Sequence, residues 1–176
     1  LKKFTLHAFQ KYPDLVELHV DGVISLGGGM LWACPNLETV SISGTATTIP
    51  DSPWDYQGTF ASCSKLHTMT LDLPGLTSIG SKAFFNDSAL VADIATLCPP
   101  TVTKVGHLAF LECRNLYGHL RLDNVESLAS QCFEHCSSIQ ELTLASETLT
   151  EIPGESYGSN RGLFHGCTSL TNITMN

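Results

Sequence analysis

At 176 residues, 43% of them apolar and only 15% charged, the chain is long enough to bury a core and too apolar to be disordered. Its net charge of −8, with only 9 Lys and Arg and no cluster among them, opposes binding to polyphosphate and argues against nucleic acid as a partner. The longest fully apolar stretch is about MLWAC, far short of a bilayer span.

The chain opens at Leu1 with neither Met nor an apolar secretory segment, which suggests a trimmed or mature fragment. Read onward from there, one pattern returns seven times. The first unit runs Phe4, Phe9, Tyr12, Leu15 and then the alternating Leu18-His19-Val20. The second runs Leu26, Leu31, Cys34, Leu37 and Val40-Ser41-Ile42. In the third, Ile49 is followed after an enlarged gap by Phe60, Cys63, Leu66 and Met69-Thr70-Leu71. The fourth has Ile79, Phe84, Asp87 and Leu90, and its strand region Ile94-Ala95-Thr96-Leu97 reads equally well in either register. Val105, Phe110, Cys113, Leu116 and Leu120-Arg121-Leu122 make the fifth, and Leu128, Phe133, Cys136, Ile139 and Leu142-Thr143-Leu144 the sixth. The seventh has Ile152, a second enlarged gap, Phe164, Cys167, Leu170 and Ile173-Thr174-Met175.

Period-two alternation over so few residues predicts a short strand with one buried face. The Phe segment predicts a short helical turn, and Gly27, Gly80 and Gly106, each directly after an anchor, predict tight turns. One such unit cannot bury its own apolar side. Stacked units can, with Phe, Cys and Leu each forming a ladder through a continuous core.

The fullest copy, LTSIGSKAFFNDSAL, carries the pattern Leu-x-x-Ile-Gly-x-x-Ala-Phe-x-x-Cys-x-x-Leu in all but its Cys, which is Asp87. The pattern resembles the BspA-like class of leucine-rich repeats. That resemblance implies an α/β repeat protein: a right-handed solenoid with a concave parallel β-sheet and short helical turns on the convex side. It further implies one domain of about seven repeats over 1–176, and an extracellular adhesion role at a bacterial cell surface. Leu31 in place of Phe, and Tyr12 and Asp87 in place of Cys, depart from the pattern.

Of seven cysteines, five (34, 63, 113, 136 and 167) occupy one ladder, where a thiol acts as a small buried hydrophobe. An odd count in a chain with a core argues against a disulfide framework. No Cys-x-x-Cys pair marks a metal site, and His135-Cys136 and His165-Gly166-Cys167 come closest. His135 and Cys136 are neighbours whose side chains point apart, which disfavours a thiol nucleophile. The expectation is therefore no catalytic residue, no metal and no cofactor.

What the repeat leaves outside is polar. His19, Ser41, Thr70, Arg121, Thr143 and Thr174 lie between the buried strand positions, either as ordinary solvated strand surface or as a shallow groove for a protein or glycan. The two enlarged gaps, PDSPWDYQGT and PGESYGSNRGL, are insertions of the kind that form binding loops on one face of a repeat array. Trp54, Tyr56 and Tyr157 are residue types favoured at interface hot spots, with Asp55, Asn160 and Arg161 as a polar rim. The competing expectation is that the aromatics fold back and plug their own loops. An interaction module is thus set against a structural spacer and a thiol enzyme, and the last strand, Ile173 to Met175, offers an edge for self-association.

Overall fold

A computed structural model of the chain describes residues 2–55, 57–154 and 161–175. Its strands are β1 (Lys2–Lys3), β2 (Glu17–Ser25), β3 (Thr39–Gly44), β4 (Thr48–Ile49), β5 (Thr68–Asp72) and β6 (Ser78–Ile79). They continue with β7 (Ala92–Asp93), β8 (Lys104–Val105), β9 (Leu116–Arg121), β10 (Ser127–Leu128), β11 (Ile139–Leu144) and β12 (Asn172–Met175). The one helix among the described residues is α1 (Ile94–Leu97).

Every strand pairing is parallel and joins strands of successive units, with one break between β5 and β7. The alternating triplets lie in two four-stranded sheets, β1-β2-β3-β5 and β7-β9-β11-β12, whose first strands, β1 and β7, are two-residue segments outside the triplets. The anchors Ile49, Ile79, Val105 and Leu128 build a third, β4-β6-β8-β10. Leu18 faces Val40, which faces Met69, and Leu120 faces Leu142, which faces Ile173. These are the equivalences read from the sequence. A slip of one residue would turn the apolar set outward, so burial of one face fixes the register.

The interior is ladders. Phe60, Phe84, Phe110, Phe133 and Phe164 stack one on the next, with ring centroids 5.2, 4.9, 5.3 and 5.6 Å apart. Phe9 stands beyond Leu31 and meets Phe4 instead, at 5.8 Å. Leu37, Leu66, Leu90, Leu116 and Ile139 form a second fully buried row.

The Phe segments are not helical turns, which corrects the expectation for that side of the repeat. Alternate backbone N–H groups turn outward to the neighbouring unit, while those between them, as at Ala83, Phe85 and Asp87, bond three residues back within the unit. Lys82, Phe84 and Asn86 donate to the carbonyls of His107, Ala109 and Leu111, each at 2.8 Å. Donors two residues apart can all point sideways only if the chain between them alternates in hand. The residues two before and two after the Phe accordingly take positive φ: Lys82 (56°) and Asn86 (63°), Leu108 (57°) and Glu112 (66°), Gln131 (59°) and His135 (59°). The local strain is offset by hydrogen bonds that an α-helical turn would have kept within the unit.

Two further differences have simple causes. In the fourth unit Ile94–Leu97 is helical because Asp93 caps it, its carboxylate accepting from the Ala95 N–H at 3.0 Å. The helix buries Ile94 and Leu97 where other units bury strand residues, and it separates β5 from β7. Gly80 and Gly106 do not take left-handed φ. A Cβ on Gly80 would strike the Pro50–Asp51 backbone, and one on Gly106 the Gly80–Ser81 backbone. They are glycines because units approach closely there, not because the chain turns tightly.

Candidate interaction surface

Cysteine chemistry is spent inside the stack. Each ladder thiol donates to the carbonyl of the residue in the Phe position one unit earlier: Cys34 to Phe9 (3.0 Å), Cys63 to Leu31 (3.1 Å), Cys113 to Phe84 (2.9 Å), Cys136 to Phe110 (3.2 Å) and Cys167 to Phe133 (3.1 Å). The thiol is therefore a rung as well as a hydrophobe. Burial holds Cys113, Cys132 and Cys136 well above the usual thiol range, and pushes Cys98 up to about 12 and Cys167 to about 11. Cys34 alone is drawn down, to about 7, by hydrogen bonding with its ladder neighbour Cys63. All seven are free.

Asp87 takes the ladder place between Cys63 and Cys113. Its carboxyl is fully buried; Oδ1 accepts the Cys63 N–H at 2.8 Å, and Oδ2 has no partner. Burial raises its pKa well above the usual carboxylate value, which favours the neutral acid in the core.

The exposed side of the long strands divides at α1. On one part His19, Ser41 and Thr70 align in register across β2, β3 and β5. On the other, Arg121, Thr143 and Thr174 align across β9, β11 and β12. Acid partners accompany the basic groups. His19 lies 3.4 Å from Glu17, and Arg121 donates to Asp123 at 2.8 Å. His119 bonds Thr143 Oγ1 at 2.8 Å and lies 3.6 Å from Glu141; His67 lies 3.9 Å from Glu38. Sequence reasoning missed His67 and His119, along with Val91 and Tyr117, exposed apolar groups beside α1. β9 begins at Leu116, several residues before its alternating triplet, and no period-two signal marks that extension.

The third unit's insertion is clamped from both sides. Asp51 accepts the Ser81 N–H at 2.5 Å, and Asp55 pairs with Lys82 at 3.1 Å. Between the clamps Trp54 is 60% exposed, its backbone N–H donating to Ser52 Oγ at 3.3 Å. It does not fold back as a plug. In the seventh unit Arg161 reaches Glu134 at 3.5 Å. Tyr56, Tyr157 and Asn160 lie outside the described residues. Glu134, His135 and His165 are the one group among the described residues whose ligand atoms converge closely enough to hold a metal ion.

The model of the BspA-type leucine-rich repeat region matches the chain in six copies, over residues 1–117 and 94–176. The chain belongs to the BspA-type leucine-rich repeat family. No curated protein and no solved structure matches it. Repeats of this family suggest a module for protein interaction or structure, generally non-enzymatic and usually surface-associated. No helix among the described residues is long and apolar enough to cross a membrane.

Proposed function

We propose that this BspA-type chain is a non-enzymatic adhesion module at a bacterial cell surface, binding a protein or glycan. In this reading residues 1–176 form a single right-handed solenoid of about seven repeats. The observation that carries it is Trp54, a large aromatic held in solvent between two contacts to the fourth unit, those of Asp51 and Asp55. Exposing such a ring has a solvation cost, and fixing its loop beforehand reduces the ordering cost of binding. Trp54 is the anchor. Tyr56 and Tyr157 extend the contact, Asp55, Asn160 and Arg161 form its rim, and His19, Thr70, Arg121 and Thr143 supply polar contacts on the strand face. The exposed edge of β12, with Ile173 and Met175 in solvent, gives a second copy a place to pair.

The test is biolayer interferometry of the immobilised protein against a panel of matrix proteins and glycans. Saturable binding to one class, weakened by Trp54→Ala, is expected. Flat responses across the panel would favour a structural spacer.

A further inference from the structure

The sixth and seventh units break the pattern of their predecessors just after the ladder Phe. At the first position past it the earlier units carry Gln10, Trp32, Ala61, Phe85 and Leu111, whereas these two carry Glu134 and His165. At the second position His135 takes φ 59° and Gly166 takes φ 79°. A Cβ on Gly166 would collide with the His135 imidazole, so the glycine makes the space that ring occupies. Glu134 is fully buried although its side chain is ionisable, an arrangement that calls for opposite charge, hydrogen bonds or ligation close by.

The result is convergent. Glu134 Oε1 lies 3.2 Å from His165 Nδ1 and 3.5 Å from His135 Nε2, and all three ligand atoms lie within 4.8 Å of one another. Bonds of about 2.0–2.2 Å in tetrahedral geometry put neighbouring ligands about 3.4 Å apart. Gln131 Nε2 donates to the other oxygen, Oε2, at 2.6 Å, fixing the carboxylate so that Oε1 faces the imidazoles. Arg161, half exposed, lies 3.5 Å from the same Oε1 and serves as the counter-charge when no ion is bound. Beyond the imidazoles is an open cleft lined by Arg114, Ser137 and Thr168, with room for water at a fourth position.

We infer that Glu134, His135 and His165 bind a divalent transition cation of the zinc class, tying the seventh unit to the sixth. Two imidazoles and one carboxylate suit zinc, copper or nickel rather than calcium or magnesium. Because the ligands come from adjacent units, the ion adds a cross-unit link beside the backbone bond from His135 N–H to the His165 carbonyl (2.7 Å).

The test uses the whole chain after chelator treatment, titrated calorimetrically with Zn²⁺ alone. One equivalent should bind and raise the melting temperature. His165→Asn, at a half-exposed side chain, should weaken binding by about tenfold or more, whereas Arg161→Ala should bind at least as tightly because the competing cation is gone. Co²⁺ substitution should give d–d bands without a sulfur charge-transfer band, which separates this site from the cysteines. That spectrum decides the matter on the unaltered protein if the variant fails to fold. Absence of Zn²⁺ uptake, uptake unchanged in a folded His165→Asn, or a sulfur band would overturn the assignment.

Discussion

Each interior residue here answers to its equivalents one unit away. Phe110 stacks on Phe84 and Phe133 at once, so its removal leaves a void that neither neighbour can close. Phe110→Ala should cost about 3–5 kcal/mol in urea denaturation, and a loss under about 1 kcal/mol would mean the ladder is not core. Asp87 gives a prediction in pH. Its native pKa is raised while the unfolded value stays near about 3.9. The unfolded chain therefore releases a proton that the folded chain retains. The contribution is fully present below the unfolded value and is lost as pH rises from there towards the raised native value. Asp87→Asn keeps an acceptor for the Cys63 N–H and removes the proton. It should match the parent near pH 4, exceed it at pH 7, and flatten stability between the two. A variant with the parent's slope would show that Asp87 is ionised in the fold. The thiols give a third outcome. Reagent titration of the native protein should reach the partly buried Cys167 first, leaving Cys34, Cys63, Cys98, Cys113, Cys132 and Cys136 until unfolding. Rapid labelling of the deep thiols would contradict the ladder.

At the scale of elements, the left-handed residues flanking each Phe are the feature with the largest local cost. Asn86 is exposed at φ 63°, so its side chain can be changed without disturbing packing. Asn86→Gly should be neutral or slightly stabilising, and Asn86→Val should cost about 1–3 kcal/mol, measured by thermal denaturation. Equal stabilities would mean that the segment does not need this backbone. The same segment marks where the sequence ceased to be legible. Strand residues announce themselves by alternation, and the units repeat often enough that Leu18, Val40 and Met69 fall into register by inspection. These turns carry little such signal, because Asn86 is a residue type that favours positive φ but Lys82, Leu108, Glu112 and Gln131 are not. Their conformation is imposed by the next unit's carbonyls, a tertiary cause. α1 was half legible: Asp93 is a good cap, but Ile94-Ala95-Thr96-Leu97 is too short to separate helix from strand by period. The surface was legible as polarity, not as geometry. Trp54 stood out by type, whereas the clamps that hold it, Asp51 to Ser81 and Asp55 to Lys82, join residues nearly thirty apart in sequence.

Across the whole molecule, contacts run from each unit to the next, so stability is close to a sum of unit and interface terms. The interior is nearly uniform along the stack, and individuality lies outside it: the strand face, the clamped third-unit loop, and the carboxylate–imidazole group joining the last two units. In the proposed function, recognition of a partner draws on those exposed features and leaves the ladders untouched. Trp54→Ala separates the two roles, with affinity for the panel partner and melting temperature measured on the same preparation. The expected outcome is a loss of about 2 kcal/mol in binding, roughly thirtyfold in Kd, with the melting temperature nearly unchanged. A fall in melting temperature with affinity intact would contradict it, placing Trp54 among the supports of its own loop.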